Sequence, residues 1–209
     1  MKVGDSVKFS LDHWDRNEWD AAMLHACNAV DGIGKKRYRK LGVAARFKRT
    51  MRDSLDIFGA MAMPGINLDE TRFPVPVKSD QADKRPDIAD IVYGIHRCTQ
   101  GHGDDLPDGY ELMPYAEPIA RTRMHHGKIR LSAATVLGLL AVAVFAPENS
   151  GQIIPDGYQL RLHQHTFLIS DWWGRQDDFR EIIGLIRSQS PSVTINFAHW
   201  WDDWTPPVR

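Results

Sequence analysis

The chain has 209 residues, 43% hydrophobic and 25% charged, with a net charge of −1. These values exclude a largely disordered or collagen-like chain, and the length suffices to bury a core without staples. Two cysteines, Cys27 and Cys98, exclude a disulfide scaffold and fit a reducing cytoplasm. The opening MKVGDSVKFSLDHWDRNEW has no signal-peptide-like apolar core. The longest apolar run, 133–146, is shorter than the roughly 20 residues of a membrane span, so no membrane is expected.

Trp19, Met23, Ala26, Val30 and Ile33 recur at steps of four and three, which predicts a helix from about 15 to 33 that ends at Gly32 and Gly34. A basic loop follows. Between Asp31 and Arg52 stand nine basic residues, Lys35, Lys36, Arg37, Arg39, Lys40, Arg46, Lys48, Arg49 and Arg52, opposed in sequence by Asp31 alone. Such a run can hold a phosphate backbone, or it can be a solvated helix face with a charged loop. Val43, Phe47, Met51, Leu55 and Phe58 predict a second helix over about 43–62, stopped by Pro64-Gly65. An extended loop with a mobile polar stretch at 78–85 is expected next.

A third helix starts near Pro86-Asp87, buries Ile88, Ile91, Ile95 and Cys98, and ends at Gly101 to Gly103. Pro107-Asp108-Gly109-Tyr110 recurs as Pro155-Asp156-Gly157-Tyr158, the same turn used twice, each time leading into a strand. A hairpin over 121–131 bends at His126-Gly127. A fourth helix, capped by Ser132, is apolar on all sides, so it should be the most buried one, and Pro147 ends it. The strand over 158–169 changes parity near His163 to His165, which calls for a bulge or turn. A fifth helix over about 171–188 buries Phe179, Ile182, Ile183 and Ile186. Val193 to Phe197 form a last short strand, and Trp200, Trp201 and Trp204 should dock on the body or on a partner. The pattern is mainly α (α+β): one domain, 1–209, with a helical bundle at 13–103 and 132–147 and β-containing additions at 108–131 and 152–209.

The segment from Asp87 to Gly103 carries the most chemistry. Arg97 lies about 200° around an ideal helix from Ile95, so Asp90, Tyr93, Arg97 and Gly101 form a polar stripe opposite the core. His102 follows at the helix end, where the negative dipole favours a protonated ring. An arginine to grip a phosphate and a histidine to move protons make a kit for phosphodiester chemistry.

An arginine, four residues and a histidine near the end of such a helix resembles the HEPN superfamily, over about residues 15–103. The matching residues are Arg97 and His102, within Tyr93-Gly-Ile-His-Arg-Cys-Thr-Gln-Gly-His102-Gly. The resemblance implies an HEPN-like helical bundle, a homodimer with two motifs meeting in a cleft, and metal-independent RNA cleavage in toxin–antitoxin or defence systems. It implies a cognate inhibitor protein as a further partner, and no cofactor or metal. Arg97 and His102 would be catalytic, with Asp90, Tyr93 and His96 supporting and Lys35 to Arg49 guiding RNA. An acidic helper from the second helix is implied as well, with Asp53 and Asp56 as candidates. The family usually has a polar residue directly after the arginine, where this chain has Cys98. A non-catalytic module that binds RNA or protein through the basic segment and the tryptophan tail is the alternative reading.

His163 and His165 sit two apart, as metal ligands on one strand face would, with His125, His126 and Glu117 as further candidates; a polar turn is the other reading. Cys27 and Cys98 lie on apolar faces and read as buried thiols. No phosphate-binding G-x-x-x-x-G-K-[ST] loop and no G-x-S-x-G elbow occurs.

Overall fold

The computed structural model describes residues 2–115 and 121–207, with the side chains of Gln100 and His102 outside the described set. The protein is mainly α, with two small antiparallel hairpins. One buried apolar cluster runs from Val3 to Ile183.

The bundle begins earlier than position 13. Helix α1 (Val3–Asp15) buries Val3, Val7 and Leu11, at steps of four, together with Ser6 and Ser10. It packs along α2 (Trp19–Arg37), where the Ser10 hydroxyl donates to the Ala22 carbonyl at 2.7 Å. Two small buried serines weaken the apolar signal of α1, which is why the periodicity misses it. Gly32 and Gly34 do not end α2. A Cβ on Gly32 would lie 2.6 Å from the Val3 side chain, and one on Gly34 would press on Arg46 at 3.1 Å. Both glycines let neighbouring helices approach.

The predicted helix over 43–62 is two helices, α3 (Val43–Arg52) and α4 (Leu55–Ala62). Ser54, at φ −136°, leaves helical geometry between them. Phe47, Met51, Leu55 and Phe58 are buried as expected, whereas Val43 is exposed. The break turns α4 onto α7 (Ala134–Phe145), the apolar helix at the centre of the core. The N-cap position of α7 is Ala133, not Ser132, although the Ser132 hydroxyl accepts from the Ala134 amide at 3.2 Å. A Cβ on Gly138 would meet the Ala62 Cβ and the Phe58 ring, each at 2.8 Å. Gly138→Val is therefore expected to overpack the α4–α7 crossing and cost about 3 kcal/mol, read as a lower urea midpoint at unchanged m. An unchanged midpoint contradicts this packing.

Strands β1 (Arg123–His125) and β2 (Lys128–Arg130) form the first hairpin, with His126 at φ 45° and Gly127 at φ 73°. Two left-handed residues in a two-residue loop suit the right-handed strand twist. Strands β3 (Gln159–Leu162) and β4 (His165–Leu168) form the second, and the change of parity is a turn with His163 at φ 52°. Gly109 and Gly157 share φ near 90°, so the repeated turn is real. The second copy leads into β3, but the first reaches a single bridge from Met113 to Ser132.

Helices α8 (Ile169–Trp172) and α9 (Gln176–Gln189) replace the single helix expected over 171–188. Gly174 separates them, at φ 80° and against the Ser150 backbone. Phe179 of α9 stacks on Phe145 at 3.8 Å. The loop before residue 86 has anchoring contacts: Phe73, Val75 and Val77 alternate inward, while Ser79, Asp80 and Gln81 bind charged groups described below. Val193 makes one parallel bridge to Ile66 in place of a strand. The tail docks on the body, with the Trp204 indole donating to the Val75 carbonyl at 3.0 Å and Arg85 lying 4.5 Å over Trp201. Among the described residues no helix is long and apolar enough to cross a membrane.

Candidate functional site

The motif-bearing segment is one rod built from three pieces: α5 (Ile88–Ile91), a π-helical turn (Val92–Arg97) and α6 (Cys98–His102). Asp87 caps it, its carboxylate accepting from the Asp90 amide at 2.9 Å while the Asp90 carboxylate accepts from the Asp87 amide. At the other end Gly103 is left-handed at φ 80° and the Asp104 amide donates to the Thr99 carbonyl. That six-to-one bond closes the helix where the glycines predict it.

The π-turn overturns the polar stripe. Its i to i+5 bonds widen the helix, so side chains beyond residue 92 no longer follow α-helical angles. Asp90 points inward, with a fully buried side chain. It meets Lys48 at 2.9 Å and Arg52 at 3.0 Å, and it accepts from Ser79 at 2.7 Å. Arg52 also binds Asp87 at 2.6 Å and Asp80 at 2.7 Å. Asp90 thus belongs to a structural ion network and cannot support a reaction at Arg97. Burial and the neighbouring Asp87 raise its pKa. For Asp80, burial is outweighed by Arg52 and Lys48, and its pKa falls to about 2.

His96 is fully buried, and neither ring nitrogen has a hydrogen-bond partner among the described residues. Burial lowers its pKa to about 4. It cannot flank a phosphate. Tyr93 is half-buried, its ring 5.5 Å from Phe47; burial, then Cys98, raises its pKa. Cys27 is buried as expected, and burial pushes its thiol up to about 12, while Cys98 is half-buried.

Arg97 is largely buried, and its Nε has no hydrogen-bond partner among the described residues. Its side chain is 22% exposed and its ion-pair contact is loose, 4.0 Å to Asp31 of α2. Asp31 is held by Arg46 through both oxygens, at 2.9 and 3.3 Å, with Lys35 at 3.8 Å. The Arg97 guanidinium folds over Gly101, where an added Cβ would collide with it. Arg97 is thereby brought to the residue next to His102. The backbone of His102 closes α6; its side chain lies outside the described residues. The acidic neighbour of Arg97 is Asp31, not Asp53 or Asp56. Asp53 serves Arg37 and Tyr38, and Asp56 serves Arg180. An acid one turn beyond the buried Cys27, alone in a basic run, was the available signal.

Part of the basic segment is neutralised by acids, some of them far away in sequence. Arg37 pairs with Glu148 and Asp53, Arg46 with Asp31, and the buried Lys48 with Asp90 and Asp80. Lys36 donates to the Glu148 carbonyl and to Asn149. Lys35, Arg39, Lys40 and Arg49 remain exposed, with Arg49 over the Tyr38 ring at 4.7 Å.

The histidine pair at 163 and 165 does not share a strand face, because His163 is in the turn and His165 opens β4. Glu117 lies outside the described residues. Among those described, no group of three or more potential ligands is arranged to hold a metal ion. Sequence reasoning missed a groove of about 590 Å³ whose lining includes His125, His126, His199, Trp200, Asp203 and Trp204.

No solved structure matches the chain. The family model Rv1289 matches residues 2–201. The chain is 55% identical over 208 residues to the uncharacterized proteins Rv1289 of Mycobacterium tuberculosis H37Rv and Mb1320 of Mycobacterium bovis, an alignment covering 99% of this chain and 98% of each relative. With both its family model and its relatives matched over nearly the whole length, the chain belongs to the Rv1289 family.

Proposed function

We propose that the protein is a metal-independent RNA endonuclease of HEPN type, acting in the cytoplasm as a homodimer. The observation that supports this reading is the placement of Arg97: a partly buried guanidinium whose Nε has no partner among the described residues, loosely paired with Asp31 and folded over Gly101, the residue before His102. In this mechanism a ribose 2′-hydroxyl attacks the adjacent phosphorus and the bond to the 5′-oxygen breaks. His102 moves the proton from the attacking hydroxyl towards the leaving oxygen, and Arg97 stabilises the charge on the phosphorane. The products carry a 2′,3′-cyclic phosphate and a 5′-hydroxyl. Lys35, Arg39, Lys40 and Arg49 supply the charge that draws RNA in.

A non-catalytic binding module is the second reading. It is favoured by Cys98 directly after Arg97 and by the internal pairing of Arg37, Arg46 and Lys48. Incubating an RNA pool with the protein in EDTA and analysing the ends separates the two. The nuclease reading expects cyclic phosphate ends and no cut at a 2′-deoxy position. Absence of cleavage alongside salt-sensitive RNA binding favours the module. Cleavage that requires a divalent ion and leaves 5′-phosphates overturns the nuclease reading as stated.

A further inference from the structure

We propose that the groove between the β1–β2 turn, the Pro74–Pro76 segment and the C-terminal turn binds an unstacked base of single-stranded RNA. This rests on the RNA reading above, but it concerns a separate site.

The groove is walled by flat rings. His125 and His126 sit with ring centroids 4.0 Å apart, on a turn whose two left-handed residues fix its shape. His199 and Trp200 face them from the 3₁₀ turn Ala198–Trp201. Trp204 also lines the groove, its indole N–H donating to the Val75 carbonyl. Bases stack on such surfaces whatever their identity.

The polar groups argue against a purely apolar occupant. Three imidazoles and the Asp203 carboxylate line the same space, and covering them with hydrocarbon would strip water from all four without replacing its hydrogen bonds. A nucleobase has a stacking face and a polar edge together. Asp203 only accepts hydrogen bonds when ionised, so it favours bases with an exocyclic amino group over uracil.

The surroundings extend the site into a track. Phe197 lies 5.9 Å from Trp200 and lines a second pocket, with Phe73, Met124, Arg121 and Arg123. A base on each side of the Phe197–Trp200 contact would place the linking phosphate near cations, the usual arrangement for a single strand. Duplex RNA keeps its bases paired and stacked and has none to offer. Val77 continues from the groove wall to the π-turn, where a Cβ on Gly94 would lie 3.5 Å from it.

The test is the affinity of the full chain for a 2′-O-methyl RNA strand, which a 2′-hydroxyl mechanism cannot cut, measured beside the matching duplex. Trp200→Ala is expected to weaken single-strand binding about tenfold or more. Trp200→Phe should restore most of it, and Ile153→Ser, at an exposed position outside the groove, should leave it within about twofold. Asp203→Asn should narrow the preference for adenine- and cytosine-rich strands over uridine-rich ones. Unfolding curves show whether each variant is folded. Equal binding by wild type and folded Trp200→Ala, or duplex binding as tight as single-strand binding, overturns the groove. Trp200-dependent binding without cleavage by any protein keeps the groove and removes the nuclease; cleavage with a KM indifferent to Trp200 does the reverse.

Discussion

Arg52→Met is expected to cost about 3–5 kcal/mol of folding free energy. Arg52 and Lys48 face three carboxylates, Asp80, Asp87 and Asp90, and the last two have almost no access to water. Removing Arg52 leaves Asp87 without a cation and leaves Asp80 and Asp90 sharing Lys48. Buried charges stripped of a partner are among the most damaging changes a core can suffer. Asp90→Asn is the informative contrast. It removes one charge from a network with a surplus carboxylate, so its cost should be about 1 kcal/mol, from amide donors meeting donors. The raised pKa of Asp90, set by burial and Asp87, agrees with that surplus. Urea denaturation at pH 7 measures both. Equal losses in the two variants contradict the charge argument.

His96→Leu is expected to stabilise the protein, by about 1–3 kcal/mol at pH 7. The imidazole is sealed in the core and neither nitrogen is bonded among the described residues, so both lost their hydration on folding. Leucine is of similar size and carries no such cost. The pH dependence separates this from better packing. Burial lowers the His96 pKa from 6.5 to about 4. Between those values the unfolded chain takes up a proton that the folded chain refuses. Stability conferred by neutral His96 is therefore complete above pH 6.5 and lost as pH falls towards 4, by about 3 kcal/mol. His25, whose pKa burial and His13 also lower, adds a smaller slope of the same sign. His96→Leu should flatten the curve over that range and leave the share of His25. A wild-type slope in the variant contradicts this account.

Local chemistry was well written in the sequence. The stripe of α2, the apolar circumference of α7, the cap at Asp87, the left-handed Gly103 and the His126-Gly127 turn all follow from residue type and spacing. What escaped depends on partners far along the chain. Asp90 reads as exposed until Lys48 and Arg52 arrive from α3, and the basic run reads as free until Glu148 and Asp53 meet Arg37. The π-turn has no residue signature, because it is a shift in backbone pairing, yet it decides which side chains share a face with Arg97. Glycines were ambiguous for the same reason: Gly103 ends a helix, while Gly32 and Gly138 admit a neighbouring helix. The ring-lined groove draws on three separate stretches, near 75, 126 and 200, and no single window of sequence contains it.

The most direct measurement is the rate of RNA cleavage in EDTA by wild type, Arg97→Ala and His102→Ala, each shown by its unfolding curve to be folded. Removal of a proton-transferring histidine or of a group stabilising the transition state typically costs about 10²-fold or more. Both variants are therefore expected to fall at least that far, with RNA binding retained. Wild-type cleavage by either folded variant would contradict the assignment of Arg97 and His102 as the catalytic pair.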